Sequence, residues 1–235
     1  MKCCAIIYSG YYPKLDPGDL PPHFKPIEGM PVIAHTIRVF QECEQIDEIV
    51  PVVAPEFMLY MSDNIVDRYK FHKVQKIRES GETRYGTILS GLEGLGKDTD
   101  IVMIHDALRP FLDVDTVSKL ITECLEHDAV ALGRQAHQPV KRAEGGYILA
   151  SLDRKRIYLM QSPQVFKYNL IMDAYRSAAT TAHVFADDAA VVEYYGSKVR
   201  VVEGSSKNFR IESDADFEVA KYFIKKNMNA RGSDV

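Results

Sequence analysis

Tryptophan is absent from this 235-residue chain, and no apolar run approaches the ~18 residues that a membrane span requires. The apolar stretch at the N-terminus stops at Ser9-Gly10, too short for a secretory signal and without a small-residue cleavage site. A membrane partner is therefore not expected, and a cytoplasmic location is. Positive charge is also lacking. Lys and Arg together number 29 against 33 Asp and Glu, for a net charge of −4. Nucleic acid is not the expected partner, and an anionic ligand must be held by a local cluster of cations rather than by the overall field. The four cysteines, Cys3, Cys4, Cys43 and Cys124, form no C-x-x-C pair, which leaves no basis for a zinc knuckle or a redox dithiol. They read as small buried hydrophobes in a reducing compartment.

What is present is an ordinary globular balance, 46% hydrophobic and 26% charged, with neither an internal repeat nor a domain-sized linker. One domain over residues 1–235 is expected, large enough to bury its own core. Continuous apolar runs at residues 3–8, 49–53, 100–104, 129–132 and 199–202 have the pattern of buried parallel strands. A further short strand is expected at 73–77. Between them, helical spacing marks residues 31–43, 56–69, 88–96, 114–127, 167–179, 187–195 and 214–226 as helices, the last capped by Asp214. Strand and helix alternate, which predicts an α/β fold: a mostly parallel sheet with helices on both faces. Residues 134–157 break the pattern. They are polar, short apolar alternations flank Gly145-Gly146, and the segment reads as an extended β-hairpin arm.

Ligands of such sheets bind beyond the carboxyl ends of the strands. The loops that matter are then 9–29, 79–84, 105–112 and 204–213. In the first, Gly10 is the glycine near the start, and Lys14 and Lys25 are the cations of a loop that either wraps phosphate or is merely Pro-rich surface. His105-Asp106 ends the clearest strand, with Arg109 three residues on. A carboxylate there can hold Mg²⁺ against phosphate oxygens, or simply cap a helix. His105 alone reads as a structural residue. Asp187-Asp188 opens a helix, either favouring the helix dipole or contacting a metal or acceptor. Gly204-Ser205-Ser206-Lys207-Asn208-Phe209-Arg210 combines small residues with an arginine able to grip phosphate.

Taken in order, Glu82-Thr83-Arg84-Tyr85-Gly86-Thr87-Ile88, His105-Asp106-Ala107-Leu108-Arg109-Pro110, Gln161-Ser162-Pro163-Gln164, Asp187-Asp188-Ala189 and Asn208-Phe209-Arg210-Ile211 resemble the motifs of the methylerythritol-phosphate cytidylyltransferase family, which includes relatives acting on ribitol or ribulose phosphates. The resemblance implies a nucleotide-diphospho-sugar transferase sheet with a β-arm that swaps contacts across a homodimer. It implies a Mg²⁺-dependent transferase of isoprenoid biosynthesis that joins CTP to a polyol phosphate and releases pyrophosphate. On that resemblance Gly10, Gly81, Glu82 and Thr87 surround the cytidine and Asp106 binds Mg²⁺. Arg109, Arg154, Ser162 and Asp187 meet the acceptor, and Lys14, Lys25 and Arg210 supply catalytic charge.

The first loop departs from the family pattern. Tyr12 stands where a second glycine belongs, Lys14 where an arginine belongs and Pro22 where the catalytic lysine belongs. In the arm, Gln138-Pro139 replaces an Asp-Thr pair. Two readings follow. One is an active cytidylyltransferase for 2-C-methyl-D-erythritol 4-phosphate, or for a ribitol or ribulose 5-phosphate. The other is a homologue that binds nucleotide or sugar phosphate but turns over poorly. A purine or uridine nucleotidyltransferase of the same fold is a more distant third.

Overall fold

The computed structural model describes residues 1–9 and 19–232, with side chains to residue 226. In chain order its elements begin with β1 (Cys3–Tyr8) and the small antiparallel pair β2 (Pro26–Ile27) and β3 (Met30–Pro31). Then come α1 (Val32–Glu42), β4 (Glu48–Val53), α2 (Met58–Tyr60), β5 (Arg78–Glu79) and α3 (Arg84–Glu93). The second half holds β6 (Ile101–Asp106), α4 (Val114–His127), β7 (Ala129–Gln135), β8 (Val140–Glu144), β9 (Tyr147–Leu152) and β10 (Tyr158–Lys167). It closes with α5 (Tyr168–Ala178), α6 (Asp188–Tyr194), β11 (Arg200–Glu203) and α7 (Asp214–Gly232).

Seven strands form one sheet in the order β11-β7-β10-β6-β1-β4-β5. All its pairings are parallel except those of β10, which runs antiparallel between β6 and β7. The period of two along β1 divides the core. Cys3, Ala5 and Ile7 face Ile33, Ile37 and Phe40 of α1 and Val117, Leu120 and Ile121 of α4. Cys4 and Ile6 face Ile88 and Leu92 of α3, Ile171 and Tyr175 of α5, and Val191 of α6. All four cysteines are buried and free, as expected.

The structure corrects the sequence reading in five places. The helix expected at 88–96 is α3, which the Thr83 cap starts at Arg84 and which ends at Glu93. The strand expected at 73–77 is absent. Val74 touches the sheet only through an isolated bridge to Ile49, Lys76 turns to pair with the buried Glu48 carboxylate at 2.7 Å, and the edge strand forms afterwards as β5. The 56–69 helix is a chain of unlike turns: a 3₁₀ turn at Pro55–Phe57, α2, then a π-helix over Met61–Asp67. The N-cap of α7 is Ser213 rather than Asp214. Its hydroxyl accepts the Asp216 N–H at 3.3 Å while Asp216 Oδ2 accepts the Ser213 N–H at 2.9 Å, a reciprocal capping box. Finally β10 was not foreseen. A proline within a run argues against a strand, yet Pro163 is tolerated because the β10–β7 register shifts between Met160 and Gln164.

The arm is present. β8 and β9 pair antiparallel around Gly145 (φ 57°) and Gly146 (φ 84°), a turn that needs two residues with positive φ. Tyr147, Ile148 and Leu149 at its tip are exposed.

Candidate functional site

Tyr8 and Asp106 end β1 and β6 side by side in the sheet register. Beyond them opens a cleft of about 650 Å³, at the carboxyl ends of the parallel strands. Its walls come from four further pieces of chain: the start of α3 (Arg84, Thr87), the middle of β10 (Met160 to Gln164), the start of α6 (Asp187, Asp188) and the segment ahead of α7 (Arg210, Glu212).

The α3 side is built by its cap. Thr83 Oγ1 accepts the Gly86 N–H at 3.0 Å, and the Thr87 hydroxyl donates to Gly81 O at 3.2 Å. This pulls the 81–87 turn so tight that a Cβ on Gly81 would lie 2.7 Å from the Gly86 carbonyl carbon, so only glycine fits. Arg84 then reaches across to Asp188, with NH1 to Oδ1 at 3.0 Å and NH2 to Oδ2 at 2.6 Å. The Tyr175 hydroxyl donates to Asp188 Oδ1 at 2.6 Å, and the Arg84 guanidinium lies 5.1 Å from the centre of the Tyr8 ring. Burial lowers the Arg84 pKa, but Asp188 more than offsets this and holds it above its ordinary value. Burial raises Tyr8 to about 12. The Asp187 carboxylate caps α6 at Ala190 N (2.9 Å) and accepts from Gln164 Nε2 (2.9 Å).

On the opposite wall a chain of hydrogen bonds fixes Asp106. His105 Nε2 donates to the Arg109 carbonyl at 3.0 Å, because a carbonyl can only accept. Nδ1 is thus the acceptor of the neutral ring and takes the Ser162 hydroxyl proton at 3.1 Å, while Ser162 Oγ accepts the Asp106 N–H at 3.0 Å. Asp106 Oδ1 accepts the Leu108 N–H (2.9 Å) and Oδ2 the Arg210 Nε–H (2.6 Å). Arg210 also meets Glu212 at 3.1 Å. Arg109 NH1 donates to Asn208 O at 2.7 Å, and the Asn208 amide donates to Ser162 O at 2.7 Å. Burial pulls the Arg109 pKa below its ordinary value, with Asp106 pulling it back.

Burial holds His105 at about 4 and His23 at about 3. An unfolded histidine titrates near 6.5. Between these values the unfolded chain binds the extra proton, so stability is complete above pH 6.5 and is lost as the pH falls. The expected loss by pH 5 is about 2 kcal/mol per histidine. Urea unfolding at pH 7.5 and pH 5.0 measures it, and equal stability at the two pH values would contradict the neutral assignment.

The cleft therefore brings together Thr87, Asp106, Arg109, Ser162, Asp187 and Arg210 among the residues singled out from sequence. Gly81 lies beneath Thr87, and Glu82 is exposed. Lys25 lies outside the cleft, in a groove of about 150 Å³ that shares Arg210 and Glu212 with it as a common wall. Arg154 is on the arm side, donating to His137 O at 2.7 Å. Gly10 and Lys14 are outside the described residues. Sequence reasoning gave no site role to Tyr8, Ser9, Arg84, Gln164 or Glu212, which also line the cleft, and it read Asp188 only together with Asp187, as a helix-dipole partner or a metal or acceptor contact. For Arg84 and Asp188 a signal existed, an arginine in a capped first turn and a carboxylate pair opening a helix, but nothing in the spacing joins residues 104 positions apart.

The described residues contain no group of three His, Cys, Asp or Glu side chains able to hold a metal. Mg²⁺ shared with phosphates needs only one or two carboxylates. Asp106 fits that role, provided Arg210 yields part of Oδ2. The cleft can thus turn Arg109 and Arg210 towards an anion, with Arg84 committed to Asp188, and align an attacking group along the β10 wall.

The family model described as 2-C-methyl-D-erythritol 4-phosphate cytidylyltransferase matches residues 10–226. The enzyme of that name from Clostridioides difficile is 36% identical over 213 residues, covering 91% of this chain and 89% of its own. The one from Syntrophus aciditrophicus is 35% identical over 226 residues, covering 96% and 97%. The crystal structure of 4-diphosphocytidyl-2C-methyl-D-erythritol synthase from Anaerococcus prevotii superposes with a TM-score of 0.84 at 22% identity, over 95% of this chain and 99% of that one, a likeness of fold.

Proposed function

The chain belongs to the 2-C-methyl-D-erythritol 4-phosphate cytidylyltransferase family, and from that premise we propose that it transfers the cytidylyl group of CTP to the phosphate of 2-C-methyl-D-erythritol 4-phosphate. An acceptor phosphate oxygen attacks the α-phosphorus, the bond to the β-phosphate oxygen breaks, and pyrophosphate leaves. The observation that carries this reading is the Asp106–Arg210 pair at 2.6 Å, with Arg109 in the same cleft at the end of β6.

Catalysis on this reading is orientation and charge neutralisation. The tight 81–87 turn presents Gly81 and Thr87 to the cytidine. Arg109 and Arg210 face the phosphates, Arg210 taking the charge that develops on the pentacoordinate phosphorus. Ser162 and Asp187, on facing walls, meet the acceptor, with Arg154 reaching it from the arm. Mg²⁺, held by Asp106, supplies charge on the phosphate oxygens when bound. The exposed Tyr147, Ile148 and Leu149 support a homodimer assembled through the arm. None of the described helices is long and apolar enough to cross a membrane, which accords with a cytoplasmic enzyme.

A second reading has its own observation. Pro22 opens a 3₁₀ turn, Pro22–Phe24, and brings no charge to the place where the resemblance puts a catalytic lysine. A homologue that binds nucleotide or sugar phosphate yet turns over poorly would look the same. The experiment is pyrophosphate release from Mg-CTP with 2-C-methyl-D-erythritol 4-phosphate, ribitol 5-phosphate and ribulose 5-phosphate in turn, with Asp106→Ala alongside. Release with the methylerythritol phosphate alone, lost in the variant, is the expected result. Release only with a pentose or pentitol phosphate moves the assignment to that acceptor. Tight CTP binding without release from any of the three gives the second reading.

A further inference from the structure

The segment that carries Asp106 and Arg109 runs on through Pro110, Phe111 and Leu112 into the wall of a second cleft. Its volume is about 560 Å³, within the roughly 300–1,000 Å³ of small-molecule sites. Tyr69, Phe111 and Phe223 give it aromatic walls, with Val39 and Ile224 between them. Its charges are unevenly placed. Glu28, Glu42 and Asp113 lie exposed at the rim, as do Lys207 and Lys226, and Asp113 is already engaged as the cap of α4, accepting the Thr116 N–H at 2.7 Å. Arg38 alone among the charged lining residues is half-buried. Its guanidinium donates to the Met30 thioether sulfur at 2.8 Å, a weak acceptor, and makes no ion pair among the described residues. Beside it, the His35 ring donates Nε2–H to Ile27 O at 3.1 Å, and burial lowers its pKa, which keeps it uncharged. The inner part of the cleft thus offers a planar cation with five donors and only a thioether to receive them.

We infer that this cleft binds a small organic anion with a flat apolar body, its carboxylate, sulfonate or phosphate paired to Arg38 and its body lying against the aromatic wall of Tyr69, Phe111 and Phe223, and that occupancy tunes the reaction cleft. The route is short. Phe111 stacks on Phe209 with ring centres 5.0 Å apart and contacts Phe223 at 5.7 Å. Phe209 immediately precedes Arg210, and the Ile211 N–H donates to Leu108 O at 2.9 Å, tying the two catalytic segments together. A ligand that shifts Phe111 therefore moves the backbone supports of both Asp106 and Arg210. The binding claim stands on the cleft alone, whereas its effect on turnover rests on the cytidylyltransferase reading.

The test is calorimetric titration of the full chain with 1-naphthoate and with its neutral counterpart 1-naphthylmethanol. The acid is expected to bind at least about tenfold more tightly, the scale of one charge-assisted hydrogen-bonded pair. Arg38→Gln removes that preference, Arg38→Lys keeps part of it, and saturating CTP does not displace the acid. Equal binding of acid and alcohol, no binding of either, an unchanged preference in Arg38→Gln, or displacement by CTP overturns the proposal. The acid–alcohol comparison needs no variant, so it decides the matter even if Arg38→Gln folds poorly. Arg38-dependent binding in a chain that releases no pyrophosphate would uphold this site while the functional reading falls.

Discussion

Arg84→Ala is expected to destabilise the protein by about 3 kcal/mol or more, because it leaves a carboxylate uncompensated inside the fold. Asp188 is 1% exposed, whereas the Arg84 side chain is 32% exposed. The asymmetry orders the variants. Without Arg84, the Asp188 carboxylate keeps the Tyr175 hydroxyl as its one side-chain donor among the described residues. Without Asp188, the guanidinium can turn to water and stay hydrated. Asp188→Ala should therefore cost less than Arg84→Ala, though the Tyr175 hydroxyl loses its acceptor. Making both substitutions together, Arg84→Ala with Asp188→Ala, should cost less than the two single losses added together, since no unpaired charge remains. For a chain of this length, ~3 kcal/mol corresponds to a Tm drop of roughly 6–12 °C. Thermal and urea unfolding of the four proteins close the cycle. Additive losses would show that the pair is not coupled, and so would an Arg84→Ala protein as stable as the parent.

Arg210→Ala is expected to slow pyrophosphate release by ~10²–10³, the usual cost of removing one preorganised donor at developing charge. Arg210→Lys keeps the charge without the two-pronged fork and should recover most of that loss. The same residue makes a second, independent prediction. In the structure its Nε holds Asp106 Oδ2 at 2.6 Å, so without nucleotide it competes with a divalent cation for that oxygen. Mn²⁺ titrated into the nucleotide-free chain and followed by electron paramagnetic resonance should bind weakly to the parent and measurably more tightly to Arg210→Ala. Asp106→Ala should abolish the gain. Equal Mn²⁺ affinity in parent and Arg210→Ala would show that the arginine does not guard the carboxylate, whatever its effect on rate.

The legible part of the fold was the part set by local pattern. Continuous apolar runs marked β1, β4 and β6, and helical spacing marked α1, α4 and α5 to within two residues. The arm showed itself through Gly145-Gly146, because few other dipeptides permit positive φ twice in succession. What stayed hidden was set by partners distant in sequence. β10 looks like loop because Pro163 interrupts it, and it is a strand because β6 and β7 flank it. In the site, strand-end position was enough to single out Asp106, and a small-residue loop enough to single out Arg210. Their ion pair was not readable, since it spans 104 positions and depends on how the last loop crosses the sheet. Ser162 entered through a motif resemblance, but its job in orienting His105 and holding the Asp106 amide appears only when the three meet.

The antiparallel setting of β10 has a consequence for how such a chain diversifies. Gln135, the last residue of β7, faces Tyr158, the first of β10, across the ladder. The whole arm is therefore an insertion in the loop of a hairpin whose two feet are fixed neighbours. Residues 136–157 can lengthen, shorten or change sequence without altering the spacing between Asp106, Arg109 and Arg210, which are anchored elsewhere. Sequence change in the arm is thereby uncoupled from the geometry of the strand-end residues. Gln138-Pro139 lies within that insertion.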